Sequence, residues 1–443
     1  MKKRRVLCVA AVLSLMLSGC NGLSLNGTDM LSPPKAEGDQ AEIQRLIQSS
    51  ADGGYEMIYP EQGEYQSSVI FRDLNGNGKD EAIALYTSDR ESIRVLIAEK
   101  KDGGYSLLGE SAVYSPTLTC VEFADFGGES DRILLSYPGS TPSLQSLTLI
   151  TPGDKVTQYD VINTCAAHLL GDYNGDGTED LLTLALSDGE NLPTAQLMLG
   201  EGGNLNEQSK CEIASDAKEY VNLSFGKFSD EISGAVVDAK DADGEYSTQL
   251  ICYDYNTRGI VNPLYVGSDY NKTKRAAAIY SADIDRDGII EVPVCSPMEF
   301  SQNEESSSVC DRIDWSNYDY SQLSLVVKQS AILCDRLGFL LNLTPEHEDI
   351  VTARYTGEDS MSVYLWEYKH STPERTSKLL TVKRYKKSSY NEDAVLEAVA
   401  GKNDDYVYTY VIEAETGFYG FTDDEVTDNF VIIENPDSGD SLQ

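Results

Sequence analysis

FRDLNGNGKDEAIALY (71–86), LGDYNGDGTEDLLTLAL (170–186) and SADIDRDGIIEVPVCS (281–296) align without gaps. Two weaker copies, FADFGGESDRILLSY (123–137) and SFGKFSDEISGAVVDA (224–239), fall between them. The first loop positions, Asp73, Asp125, Asp172, Lys227 and Asp283, therefore recur roughly every 50 residues. Each period reads as short strands separated by Gly, Pro, Ser and Asp clusters. After the first loop these are EAIALY, IRVLIAEK, YSLLGESAVY and TLTCVEFADF. Four strands in roughly 40 to 50 residues is how a propeller blade looks in sequence. The nearly continuous apolar strand after each loop suits a strand covered on both faces by neighbouring sheets.

The expected fold is thus mainly β, a β-propeller over residues 55–335. Regular spacing over five copies favours it over a sandwich with long hairpins. Five loop positions favour five blades, with six or seven also compatible. SVIFRDL (68–74) is expected to close the ring by pairing with strands near 321–334. MEFSQNEESSSVCDRIDW (298–315) is polar and interrupts the last repeat, so it reads as an exposed insertion of the kind that carries binding. From about residue 337 the pattern changes to GFLLNL, IVTARY, SMSVYLWEY, KLLTVKRY, a helix-like NEDAVLEAVAG and YVYTYVIE, which predicts a small α+β domain over 336–433 and a tail over 434–443. The basic runs KHSTPERTSK and KRYKK read as a solvated face.

Written from their first residue, the strong loops are D-L-N-G-N-G-K-D-E, D-Y-N-G-D-G-T-E-D and D-I-D-R-D-G-I-I-E. Oxygen side chains stand at positions 1, 3, 5 and 9, Gly at position 6 admits the positive φ that lets the loop wrap an ion, and position 7 offers a backbone carbonyl. The candidate donors are Asp73, Asn75, Asn77, Lys79 (carbonyl) and Glu81; Asp172, Asn174, Asp176, Thr178 (carbonyl) and Asp180; Asp283, Asp285, Asp287, Ile289 (carbonyl) and Glu291. Hard oxygens in a flexible loop suit Ca²⁺, up to three structural ions in all. Two unit charges about 4 Å apart repel by about 4 kcal/mol at an effective dielectric near 20, so the four carboxylates of the third loop need a counter-ion most. Affinity is expected to fall from the third loop to the second to the first. Lys227 and Gly127 deprive the weak copies of a complete donor set, and those loops are expected to hold no metal. EF-hand and dockerin loops need an acid at position 12 followed by a helix, but here position 12 is Ala84, Thr183 and Val294, and strand-like sequence follows.

This loop pattern, D-x-[DN]-x-[DN]-G-x-x-[DE] before an apolar strand, resembles the FG-GAP/VCBS repeats of integrin-α-type β-propellers. The resemblance covers roughly residues 60–335. It implies calcium at the residues just named and a propeller used for binding or scaffolding. Its Phe-Gly element survives as Phe225-Gly226.

The chain opens MKKRRVLCVAAVLSLMLSGC: a basic segment, a mostly apolar stretch from Val6 to Leu17, and Leu17-Ser18-Gly19-Cys20. That order reads as a signal peptide over 1–19, too short to span about 30 Å of hydrocarbon. The LSGC ending resembles the bacterial lipobox, which implies lipidation at Cys20. Residues 20–54 then form a tether with a short helix, and the protein is held at the extracytoplasmic face of the membrane through lipid alone. With the lipobox, the chain is similar to surface lipoproteins of Gram-positive bacteria.

The 443 residues carry Lys+Arg 35 against Asp+Glu 73, a net charge of -38, which disfavours nucleic acid and anionic headgroups as partners. Seven Cys remain after Cys8 and Cys20; most are flanked by apolar residues, no CxxC occurs, and they read as small buried hydrophobes. The chain has three His and no HExxH, GxSxG or GxxxxGK; His347-Glu348 lacks a second His. No catalytic residue is assigned, and the chain is read as a non-enzyme. The expected function is a calcium-stabilised module that binds an envelope or extracellular protein or glycan. An envelope polysaccharide-degrading enzyme on a propeller scaffold is the alternative.

Overall fold

The computed structural model describes residues 38–51, 53–101, 103–141, 143–153, 155–187, 192–213, 217–266, 269–299, 308–369, 372–413 and 419–433. The signal segment, Cys20, the 434–443 tail and most of the polar run within 298–315 lie outside the described residues.

The described chain is mainly β. Helix α1 (Asp39–Ser50) precedes a first sheet of β1 (Glu56–Met57), β2 (Val69–Arg72), β3 (Glu81–Thr87), β4 (Ile93–Lys101) and β5 (Gly104–Val113). Both β1 and β2 pair along one edge of β3, end to end, so the sheet is a four-strand meander with a divided first strand. The second sheet holds β6 (Cys120–Ala124), β7 (Arg132–Pro138), β8 (Gln145–Thr151) and β9 (Thr157–Cys165). The third holds β10 (Ala167–Gly171), β11 (Asp180–Ala185), β12 (Thr194–Glu201) and β13 (Asn204–Glu212). The fourth holds β14 (Ala217–Lys227), β15 (Ser233–Asp241), β16 (Tyr246–Asp254) and β17 (Gly259–Val261). All neighbouring strands are antiparallel and consecutive, the meander of a propeller blade.

Face-to-face packing follows from the alternation of side chains along the strand after each loop. On β7, Ile133 and Leu135 join Ile83, Leu85 and Val95 of the first sheet, whereas Leu134 turns to Leu181 of the third. On β11, Leu182 and Leu184 meet Ala235 and Val237 of β15. Every residue of β3 is buried, as a strand clad on both sides requires. The second cover of β3 is not a sheet, however: Ala82, Ala84 and Tyr86 pack under Ile43 and Ile47 of α1.

Several expectations need correction. Val69–Arg72 pairs with Glu81–Ala84 of its own hairpin, not with strands near 321–334. Among the described residues no hydrophobic cluster joins the first sheet to the last, because α1 already occupies the face a closing sheet would cover. The 298–315 segment is not wholly an exposed insertion. A fifth sheet of β18 (Val292–Pro297), β19 (Asp311–Asp319), β20 (Ser324–Cys334) and β21 (Phe339–Asn342) takes up its second half, burying Ile313 and Trp315.

Nor does the chain divide at 335/336, since β20 and β21 form one hairpin. A sixth sheet follows, of β22 (Val351–Gly357), β23 (Ser360–Lys369), β24 (Thr372–Lys386), β25 (Ala398–Lys402) and β26 (Tyr406–Ile412), in the order β22-β23-β24-β26-β25. The stretch expected to be helical over NEDAVLEAVAG is instead turn and then β25, which satisfies one edge of β26; tertiary pairing overrides local propensity there. The helix of this region is α2 (Asp423–Asn429), started by a capping box between Thr422 and Glu425. It leads into β27 (Phe430–Ile432), which pairs with β21. The fifth and sixth sheets share one core, in which Ile332, Phe339, Val363, Leu380 and Tyr408 meet. The described residues therefore form six sheets.

Cys310 and Cys334 lie in that core with their Sγ atoms 3.7 Å apart. Asp311 pairs with Leu333, so the two cysteines occupy the next opposed positions on neighbouring strands. Oxidation with glutathione disulfide is expected to join them and, by closing a loop of about 24 residues, to stabilise the fold by about 3 kcal/mol. Non-reducing peptide mapping checks this; two free thiols after oxidation would refute it.

Candidate metal centres

Each strong loop lies between the first strand of its sheet and the next one: 73–81 between β2 and β3, 172–180 between β10 and β11, and 283–291 before β18, where Ala282 and Glu291 bridge. Adjacent loops dock by one recurring backbone bond. Asp131 N–H donates to Leu74 O (2.7 Å), Glu179 N–H to Asp125 O (2.8 Å) and Ile290 N–H to Lys227 O (2.7 Å). The first three copies are thus joined in series, and the last two to each other.

The strong loops share a common internal wiring. The position-1 carboxylate accepts the N–H groups of positions 5 and 6: Asp73 from Asn77 and Gly78, Asp172 from Asp176 and Gly177, Asp283 from Asp287 and Gly288. Position 3 accepts the position-5 N–H, and position 5 accepts that of position 7, as in Asp287 with Ile289. Gly78, Gly177 and Gly288 take φ of 80°, 88° and 88°, the left-handed turn that folds the loop back on itself. The position-9 acids Glu81, Asp180 and Glu291 are buried, and each accepts the position-2 N–H, from Leu74, Tyr173 and Ile284.

The second oxygen of that buried acid differs between loops. Glu81 Oε1 accepts from Asn75 Nδ2 (3.1 Å), and Asp180 Oδ1 accepts from Gly200 N–H (2.9 Å). Glu291 Oε1 is buried with no partner among the described residues. Burial foremost, and then the charges of Asp285, Asp287 and Asp283, push the Glu291 carboxyl up to about 7. Asp283, Asp285 and Asp287 each offer an oxygen, and these lie within 4.8 Å of one another. Three converging carboxylates beside an unsatisfied buried one are a donor set for a hard cation. Among the described residues this is the one such cluster of three or more His, Cys, Asp or Glu. The second loop has Asn174 at position 3, so only Asp172 and Asp176 stand where the third loop has three carboxylates, and backbone N–H groups hold both oxygens of Asp180.

Lys328 on β20 completes the third loop in a way the sequence did not announce. Its Nζ lies 2.7 Å from Asp287 Oδ2 and 3.4 Å from Asp285 Oδ2, an ammonium set on the rim of the cluster. Lys328→Met is expected to raise calcium affinity by about two- to fivefold, the worth of an exposed ion pair, as titration calorimetry would show. Unchanged affinity would exclude competition between the ammonium and the ion.

The weak copies are held by other means. Asp125 accepts Gly127 N–H, its own N–H donates to Glu179 Oε2, and the nearby Arg132 guanidinium donates from Nε to Gly203 O (2.9 Å) and from Nη1 to Ser130 O. Lys227 docks the third loop through its carbonyl. Two histidines have structural surroundings: His168 Nε2 meets Glu122, and His347 stacks on Phe421 at 4.2 Å. His370 lies outside the described residues.

No protein-family model matches this chain, and no curated protein does. Solved structures give distant fold likenesses. The Dos1 propeller is 12% identical, with 82% of each chain covered and a TM-score of 0.30. BBS1N, solved in complex with ARL6DN, is 10% identical, with 73% of this chain and 94% of that one covered and a TM-score of 0.24. The propeller-type arrangement rests on the antiparallel meanders and their face-to-face packing.

Proposed function

We propose that this chain is a membrane-anchored extracytoplasmic lipoprotein, lipidated at Cys20, whose FG-GAP/VCBS-type loops hold calcium and stiffen a scaffold that binds an envelope or extracellular protein or glycan. The observation that carries the metal half of this reading is the third loop, where Asp283, Asp285 and Asp287 converge beside the unpartnered Glu291 Oε1. When bound there, the ion supplies the counter-charge that the loop lacks. Asp283, Asp285, Asp287 and Glu291 would hold it, and the backbone bonds already formed would orient them. In the first loop Asp73, Asn75, Asn77 and Glu81, with the Lys79 carbonyl, would act alike, as would Asp172, Asn174, Asp176 and Asp180, with the Thr178 carbonyl, in the second. The docking bonds support the scaffold reading in another respect: they tie the loops of the first three copies to one another, and those of the last two.

Two measurements test the proposal. Asp285→Ala is expected to lose about 1 to 3 kcal/mol of calcium-dependent stability, the cost of uncoupling a charged donor, and Asn75→Ala distinctly less, read as thermal shift with and without chelator. No shift with chelator in the wild type would remove the calcium. For the ligand, the lipid-free ectodomain is incubated with envelope polysaccharides and surface proteins. Saturable retention without shortened products is expected, and turnover of a polysaccharide would replace the binding reading with the enzymatic one.

A further inference from the structure

A cavity of ≈ 490 Å³ opens beside the second acidic loop, where the third, fourth and fifth sheets meet. Its walls carry the carboxylates Asp172, Glu231 and Asp254 and several tyrosines, and among the described residues no Lys, Arg or His lines it. Tyr253 and Tyr255 stand nearly perpendicular, with ring centroids 5.2 Å apart and an interplanar angle of 79°, and make an aromatic corner. Tyr255 is 68% exposed and Tyr320, from the turn between β19 and β20, is 49% exposed, so both rings keep open faces. The Tyr255 ring is held at its tip, where the hydroxyl donates to Asn174 O (3.0 Å), and Tyr253 stands on β16.

The remaining groups define the charge of the space. Asp254 is locked by bonds from Asn256 N–H, Asn256 Nδ2 and Thr257 Oγ1, which hold its carboxyl below the usual range and keep it ionised. Glu231 also lines the cavity and lies exposed, at the turn between β14 and β15. Tyr173 also borders the cavity. It is 3% exposed, and its hydroxyl has no partner among the described residues, a polar group in want of a ligand atom or water. Aromatic faces present the negative lobe of the ring quadrupole, and desolvated cations over them gain most when carboxylates stand near.

We propose that this cavity is a binding site for a small organic ammonium ion, held over Tyr253, Tyr255 and Tyr320 and balanced by Glu231 and Asp254. The site goes beyond the calcium reading: Tyr253, Tyr255 and Tyr320, which carry the cation, lie outside the loops proposed to hold metal, while Asp172 and Tyr173 of the second loop border the cavity. An anionic ligand is repelled by these carboxylates and a neutral one lacks the charge attraction, whereas a methylated ammonium fills the aromatic corner with its apolar shell and meets the carboxylates with its charge.

Choline is the probe, and 3,3-dimethylbutan-1-ol, of nearly the same shape without charge, is its control. Titration of the ectodomain followed by NMR of the tyrosine rings, in calcium and again in chelator, should show saturable choline binding in both and at least about tenfold weaker binding of the alcohol. Tyr255→Ala and Glu231→Gln should each weaken choline by about three- to thirtyfold, the range for a cation over an aromatic face. Tyr255→Phe, which keeps the ring, should bind as the wild type does. Equal binding of choline and the alcohol, or binding untouched by Tyr255→Ala, overturns the proposal, as does no binding at all. Loss of choline binding only in chelator would overturn its independence from the metal, and leave the calcium reading intact.

Discussion

Asp238→Ala is expected to cost about 3 to 5 kcal/mol of stability, the penalty for stripping the partner from a buried charge. Asp238 on β15 and Arg275, in the segment that links the fourth sheet to the fifth, form an ion pair at 2.9 Å with both side chains at zero exposure. Each remaining polar atom has a use. Asp238 Oδ1 also accepts from Thr248 Oγ1 and Ser281 Oγ, and Oδ2 accepts from Ser281 N–H and Asn222 Nδ2. Arg275 donates from Nε to Ile279 O and from Nη1 to Thr273 O and Thr248 Oγ1. The network pins residues 273–281 against β15, immediately before the third acidic loop. Removing the acid leaves the guanidinium without a counter-charge in a site closed to water. A drop in the urea midpoint at unchanged slope would measure it. The paired change Asp238→Leu with Arg275→Met should recover most of the loss, because apolar side chains of similar volume carry no desolvation cost. A loss below about 1 kcal/mol for the single variant would mean that water reaches the pair.

That network also shows what could and could not be read in the chain. The acidic loops were legible because their chemistry is local: the bonds that fold 283–291 back on itself, from Asp283, Asp285, Asp287 and Glu291 to nearby N–H groups, run between residues seven or fewer apart, and Gly288 declares the left-handed turn. The strands after them were legible because both faces are apolar. The fifth sheet was not. Arg312 and Asp314 made 311–319 look solvated, yet Arg312 donates to Asp314, Ser330 and the Glu348 carbonyl, and so spends its charge inside the fold while Ile313 and Trp315 turn to the core. The pairing of β27 with β21 spans some ninety residues and leaves no local mark. Lys328 stands about forty residues beyond the loop it touches, and only the register of β19 with β20 brings it there. Arg275 and Asp238 were lost among the charges of an acidic chain for the same reason. Contacts made within one turn of backbone are written in the sequence, and contacts made by register are not.

The third loop should make stability depend on pH in opposite senses with and without calcium. Glu291 ordinarily titrates near 4.5 and in the metal-free fold near 7, so between those values the native state binds more protons than the unfolded one. Stability of the metal-free protein must then fall as pH rises from about 4.5 to 7, and a displacement of that size is on the order of 3 kcal/mol for a fully buried group. Asp180, raised to about 6, and Glu81, also raised, act in the same sense; burial is the leading cause in each. A divalent ion reverses the preference, because it stabilises the carboxylate and rewards the proton's departure. With calcium at about a hundred times its dissociation constant the gain is about 2.7 kcal/mol per site, large enough to cancel most of the slope. Chelated protein should therefore be more stable at pH 5 than at pH 7, and calcium-loaded protein should not. Glu291→Gln isolates the cause: it keeps an acceptor for Ile284 N–H, has no proton to lose, and should flatten the chelated profile while surrendering the calcium gain of this loop. Should calcium leave the wild-type profile unchanged between pH 5 and 7, Glu291 is a buried acid that serves only the turn, and the third loop is not a metal site.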